Sequence, residues 1–388
     1  MQAQRGAAAA VLPVLLQLLV AGPAATRSTV VLRPSMHSFG NALKAFSVKA
    51  AHEQLLFNFS SEPEPGNTAP HVITEQWFSL FGSGPRRFNN DARIRIYVDS
   101  ELSPSLDFQL FFAHTVGVQN CVDNVCSDPR VPWASSEVQH MAHAGALKNR
   151  YRIPFARSIK ITATMPTDGV VYYYCRGMTH LPVMVGDLQL PDAARLKLHT
   201  NWNVGVPPLE HLDLLPPRLN SSGLLYATIW SAQSEFIGFM EGCVRATPDR
   251  QPTIFLSSGT EDYFESANFF NAGQPVDAAP GAIPWPNKTM LEQRNIFTSA
   301  GAVSSPESGV GFLSGANPTN YSMSAYKFHV SDPIVWWESF NLTASNYDGG
   351  GEDPALGGMG CRGAAEGTKP LRQSRPVAMW TYTWTYEW

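Results

Sequence analysis

The last ten residues constrain the fold more than any other segment. Met379-Trp-Thr-Tyr-Thr-Trp-Thr-Tyr-Glu-Trp388 alternates aromatic residues with threonine. A helix would scatter those rings around its circumference, whereas a strand places them on one face and the threonines on the other. The same period of two runs through Arg93 to Asp99 and Ser158 to Thr164, and Gly169 to Cys175 follows a Pro-Thr-Asp-Gly turn signal at Pro166 to Gly169. Further β-rich runs are Leu224 to Trp230, Phe236 to Met240, Ile254 to Leu256 and Ala325 to Val330. Helical periodicity is confined to Leu43–Phe57 and a turn or two at Leu190–Leu198. Thirty Gly and thirty Pro supply the punctuation that many short strands require. The expectation is an all-β fold: two antiparallel jelly-roll β-sandwiches packed together, with few helices, because 388 residues exceed one eight-stranded jelly roll. The Pro-rich stretch Val206–Arg218 is the plainest break, dividing residues 26–205 from 206–388, and Gly-dense Asp348–Lys369 reads as a surface loop. No internal repeat is visible.

The chain opens with Arg5 and an apolar run, Ala7 to Ala21, that exits through Gly22, Pro23, Ala24 and Ala25. A basic start, a short apolar core and small exit residues predict a secretory signal peptide over residues 1–25 and a secreted or secretory-pathway product. The rival, a membrane anchor, needs roughly 20 apolar residues, and this run is broken by Pro13 and Gln17. Sequons at Asn58, Asn220, Asn287, Asn320 and Asn341 agree with that route as glycosylation sites. Cys121 and Cys126 close a short loop that suits a local disulfide in an oxidising compartment, and five cysteines leave at least one thiol unpaired if all bonds are intrachain. A formal net charge of −4 offers no basic surplus to displace phosphate counterions, so nucleic acid is not an expected partner. No membrane span is expected after signal removal, and neither a cofactor nor a metal is expected.

Chemistry is best sought among the carboxylates. Ser257-Ser-Gly-Thr-Glu-Asp-Tyr-Phe264 follows the apolar Ile254-Phe-Leu256, so Glu261 and Asp262 fall just beyond a strand end. A polar loop whose acids cap backbone N–H groups is the plain alternative. Glu241 ends the run Phe236-Ile-Gly-Phe-Met240, and if the two segments are antiparallel neighbours around a turn at Thr247–Pro252, both glutamates lie at one sheet edge. Glycoside hydrolysis asks for such a pair, one carboxylate at the anomeric carbon and one protonating the leaving oxygen, about 5–5.5 Å apart for retention. Trp77, Trp202, Trp230 and Trp285 are candidate stacking faces for sugar rings, although most tryptophans serve packing. His180, His199, His211 and His329 show no zinc-hydrolase spacing, with His329 structural or substrate-touching, and the Gly-x-Ser-x-Gly elbow of an esterase is absent.

Gly259-Thr-Glu-Asp-Tyr-Phe264 resembles the characteristic motif of the family first catalogued as domain of unknown function 2961, now glycoside hydrolase family 172. Collinear matches are Arg95-Ile-Tyr-Val-Asp99, Pro104-Ser-Leu106, Phe111-Phe112, Tyr151 to Thr162, Glu241-Gly242, Ser324 to Ile334 and the aromatic C-terminal strand. The resemblance spans roughly Ser35 to Trp388. It implies a double jelly roll, homo-oligomers (trimers or multiples of them) and retaining action on furanosides such as α-D-fructofuranosides and D-arabinofuranosides. It makes Glu241 the nucleophile and Glu261 the acid/base, with Asp262, Tyr263, Trp230 and Asn41 supporting or binding a carbohydrate substrate. Two departures concern substrate identity: Cys243-Val244 follow Glu241-Gly242 where further acids are usual, and Ser38-Phe-Gly-Asn41 is followed by Ala-Leu-Lys. The alternative is a catalytically inactive carbohydrate-binding or structural jelly-roll protein.

Overall fold

The computed structural model describes residues 30–62, 66–82, 92–115, 133–141, 146–265, 306–317, 320–346, 352–353, 358–359 and 375–388. Among them the fold is nearly all strand, arranged as two sandwiches. In the first, one sheet runs Ser38–Val48, Gly169–Met178, His71–Gly82, Ala146–Asn149, Val138–Met141, Trp133–Ala134, and Ile153–Phe155 also pairs with His71–Gly82. Its opposing sheet runs Gln54–Ser60, Ser158–Thr164, Arg93–Val98, Leu106–Gln109. In the second, one sheet runs Arg195–Val206, Val377–Glu387, Gly223–Ser234, Asn320–Phe328, Ser308–Asn317, with Ile334–Trp336 also on Gly223–Ser234. Its opposing sheet runs His211–Leu219, Ser339–Ser345, Val244–Pro248, Ile254–Phe255. The ladders between these strands are antiparallel. The expected all-β architecture of two packed jelly-roll sandwiches is what the chain adopts.

The two halves are copies in topology although no repeat is legible in sequence. In each, the first strand of the half pairs with its last, and the last with its third. Backbone detail repeats as well. The first strand of each half is bulged, with Ala45 at φ 54° and Asn203 at φ 55°. Asp99 and Asp249, both at positive φ, follow equivalent strands. The Asp99 carboxylate accepts the N–H groups of Ala156, Arg157 and Ser158, and that of Asp249 accepts those of Trp337, Glu338 and Ser339. Each aspartate therefore fixes the chain as it passes from one sheet into the next strand of the other. The same three carboxylate–N–H bonds thus recur at the same place in each half.

The boundary between the halves differs from the sequence expectation. Arg195–Val206 pairs along its length with Val377–Glu387, so it opens the second sandwich, and the halves divide between Met178 and Arg195. Val206–Arg218 is no linker: Pro207 and Pro208 lie in the turn that follows Arg195–Val206, and Pro216 and Pro217 sit in His211–Leu219, an outer strand where their missing N–H groups interrupt no central ladder. Neither expected helix exists. Leu43–Phe57 is divided by a turn at Ala51, φ 58°, and its two parts enter different sheets; Leu190–Leu198 leads into the strand Arg195–Val206. In both, tertiary pairing overrides a weak local period.

The C-terminal strand has the expected two faces, and both are buried. Tyr382, Trp384 and Tyr386 belong to the apolar cluster shared with the first sandwich, where Tyr382 accepts the Gln109 N–H at 2.8 Å and Tyr386 donates to the Arg152 carbonyl at 2.8 Å. Thr381, Thr383 and Thr385 are buried on the other side, Thr383 donating to the Leu214 carbonyl at 2.8 Å. This strand joins the halves. The unpaired thiol expected from the odd cysteine count is found at Cys175, buried and pushed up to about 11 by burial. Cys121 and Cys126, like the expected signal peptide and Asn287, lie outside the described residues, as does most of Asp348–Lys369. Asn58 and Asn220 are exposed, Asn341 is half-buried within Ser339–Ser345, and Asn320 opens the strand Asn320–Phe328. Among the described residues no helix is long and apolar enough to cross a membrane.

Candidate functional site

Glu241 and Glu261 flank one hairpin. Val244–Pro248 pairs with Ile254–Phe255, with Ala246 opposite Ile254. Glu241 precedes this hairpin and Glu261 follows it, so both fall at the same edge of the second sandwich. Phe236–Met240, expected as a strand, is instead a 3-10 turn over Ile237–Glu241. The reason is connectivity: the chain must cross there from Gly223–Ser234 in one sheet to Val244–Pro248 in the other, in too few residues for another strand. Glu261 lies on a single helical turn, Thr260–Tyr263.

The two turns are held together. The Leu256 N–H donates to the Val244 carbonyl at 2.9 Å, and the Thr260 hydroxyl to the Gly242 carbonyl at 3.4 Å. Gly259 is there for space rather than for conformation, since its φ of −151° suits any residue. A Cβ at Gly259 would stand 3.0 Å from both the Glu261 Oε2 and the Met240 carbonyl oxygen. The Glu261 carboxylate and the backbone next to Glu241 thus lie within twice that distance of each other.

Electrostatics distinguish the acids. Burial, followed by the negative charge of Asp262, raises the Glu241 pKa above the ordinary carboxylate range. Asp262 is half-buried and accepts a short hydrogen bond from the Ser258 hydroxyl. Glu261 is buried, 7% exposed. Beneath them Tyr263 is fully buried; its hydroxyl accepts from Thr228 at 2.8 Å and donates to His329 Nε2 at 2.9 Å. Burial, aided by nearby Lys327, lowers His329 to about 3, so its imidazole is neutral, and its Nδ1–H donates to the Asp332 carbonyl at 3.3 Å. That proton placement follows from the partners on each nitrogen.

Of the residues expected at the site, Glu241, Glu261, Asp262 and Tyr263 come together. Trp230 is 0% exposed and packs edge-on to Phe264, so it supports the turn and offers no face to a sugar. Tyr263 likewise is support. Asn41 is exposed on the edge strand of the first sandwich, its side chain bonded to the Leu56 carbonyl and the Ala42 N–H. Trp77 stacks on Tyr174, Trp202 packs against Phe112 and Tyr382, and Trp285 is outside the described residues. Sequence reasoning missed Gly259 as a spacer and Thr228 as a partner of Tyr263; no local signal links residues so distant in the chain.

No family model and no curated protein matches the chain. Among solved structures, a chain from Sulfolobus turreted icosahedral virus is 8% identical with a TM-score of 0.34, covering 90% of each chain. PBCV-1 VP54, fitted into a reconstruction of the virophage Sputnik, is 8% identical with a TM-score of 0.30, covering 92% of this chain and 95% of its own.

Proposed function

We propose that this chain is a retaining glycoside hydrolase acting on a furanoside linkage, with Glu241 and Glu261 as its two carboxyl groups. The observation that carries the reading is their convergence on adjacent turns at one sandwich edge, with Gly259 leaving room for the Glu261 carboxylate against the Met240 carbonyl. Retention requires one carboxylate to attack the anomeric carbon and form a covalent glycosyl-enzyme while the other protonates the departing oxygen; water then releases the sugar as the second group takes a proton back. In the order that the family resemblance implies, Glu241 attacks and Glu261 handles the proton. The raised pKa of Glu241 sets a condition on that order: the carboxyl must shed its proton before it can attack. Asp262, which favours the protonated form of Glu241, then tunes the acid side of the pH profile. Secretion, glycosylation at exposed Asn58 and Asn220, a Cys121–Cys126 disulfide and assembly into homo-oligomers, trimers or multiples of them, complete the reading.

The test is turnover of p-nitrophenyl furanosides and pyranosides by the wild type and by Glu241→Gln and Glu261→Gln. Furanoside turnover lost in both variants, with melting and oligomer size retained, supports the reading. Equal binding of furanose glycans by all three proteins without turnover replaces it with a carbohydrate-binding module.

A further inference from the structure

A cleft of about 390 Å³ opens beside the first sandwich, lined by His71, His180, Ala156, Arg157, Asp192 and Arg195 among others. The fold's duplication explains why it exists. Ala156 and Trp337 are equivalent, each giving its N–H to the paired aspartate of its half. In the second half Trp337 stands at this position, 64% exposed, with its ring edge-on against Trp388. In the first, alanine leaves the space open.

The cleft is chemically asymmetric. The Arg195 guanidinium is engaged by Asp99 at 3.4 Å and by the Asp192 and Ala194 carbonyls. Asp192 accepts from the Thr68 hydroxyl at 2.6 Å. Arg157 is exposed, and its guanidinium meets no acid among the described residues. His71, 2% exposed, accepts the His180 N–H on Nδ1 at 3.4 Å, so the proton of its neutral ring sits on Nε2. Burial and the adjacent His180 ring, centroid 4.7 Å away, hold His71 in that neutral form. His180 has φ 52°, outside the region non-glycine residues prefer, and such conformations gather at ligand sites. An uncommitted arginine at the mouth and imidazole and guanidinium donors in the walls suit an oxyanion.

We propose that this cleft binds a small ligand through a carboxylate or phosphate group, paired with Arg157 and set apart from the Glu241/Glu261 site. The experiment is calorimetric titration of the full chain with inorganic phosphate in one arm and glucuronate in another, repeated on Ala156→Trp and Arg157→Gln. Ala156→Trp restores the side chain that the second half carries at the equivalent position and should keep the fold. The expected result is saturable binding in at least one arm, weakened at least tenfold by Arg157→Gln and lost in Ala156→Trp, with both variants melting like the wild type. The responding arm identifies the anion. Absence of binding in both arms, or equal binding by wild type and both variants, overturns the proposal. If Ala156→Trp melts early, Arg157→Gln alone decides, and its retention of full affinity is refutation.

Discussion

Replacing Asp249 by alanine should destabilise the second sandwich selectively. Its carboxylate accepts three backbone N–H groups, from Trp337 at 2.8 Å, Glu338 at 2.7 Å and Ser339 at 3.1 Å. Hydrogen bonds to a charged group contribute about 1.5–3 kcal/mol each when well buried. Here the carboxylate is half-buried, so solvent screening and hydration of the released N–H groups reduce the total. A loss of about 2–4 kcal/mol is expected, read as a lower urea midpoint. The pH dependence follows from linkage. Burial alone would raise the Asp249 pKa, but the three N–H groups outweigh it and bring the value below that of an ordinary aspartate. The stabilisation is therefore present above the unfolded pKa, about 3.9, and is lost as pH falls through the lower folded value. The gap between wild type and Asp249→Ala should be full at pH 7 and should narrow below pH 4. Asp99→Ala should behave alike at pH 7, because Asp99 accepts the equivalent three N–H groups. A midpoint unchanged in Asp249→Ala, or a gap as wide at pH 2.5 as at pH 7, would refute the account of these aspartates as paired clamps.

Three further outcomes concern the candidate site. Gly259→Ala should leave melting within a few degrees of wild type yet lower furanoside kcat by about 10–100-fold, because the new Cβ displaces the Glu261 carboxylate and sub-ångström misplacement costs rate at that scale; unchanged kcat would deny Glu261 its role. Glu241→Gln should raise the melting temperature at pH 7 while removing turnover, since burial and Asp262 disfavour the ionised carboxyl in the folded state, and the gain should vanish once both states are protonated, below about pH 4. Asp262→Asn should move the acid limb of kcat/KM to lower pH, because losing a neighbouring negative charge lets Glu241 ionise earlier; a limb that stays put, or shifts upward, would mean that Glu241 does not set it.

The sandwich class was legible because period-two alternation survives in strands with one open face, as in Arg93–Val98 and Ser158–Thr164. It fails where a strand is buried on both sides: Gly223–Ser234 has no polar face to alternate. The duplication was invisible because it is written in positive-φ residues and in Asp99 and Asp249, while the apolar positions need keep only volume. The boundary at Arg195 was hidden because the partner strand arrives from the chain's far end, Val377–Glu387. At the site, the motif around Glu261 pointed to the right edge. The support from Thr228, in Gly223–Ser234, and from His329, just beyond Asn320–Phe328, depends on a sheet register that the sequence does not display.

The most direct test of the two-carboxylate mechanism is chemical rescue with azide on an activated furanoside. Glu241→Gly should regain turnover with added azide and yield a glycosyl azide of inverted anomeric configuration, because azide takes the place of the nucleophile. Glu261→Gly should yield the azide of retained configuration, because the nucleophile remains and azide intercepts the glycosyl-enzyme. Exchange of those two stereochemical outcomes would reverse the roles of the glutamates. Absence of turnover and rescue in both, on substrates that the wild type cleaves, would place the catalytic carboxylates elsewhere.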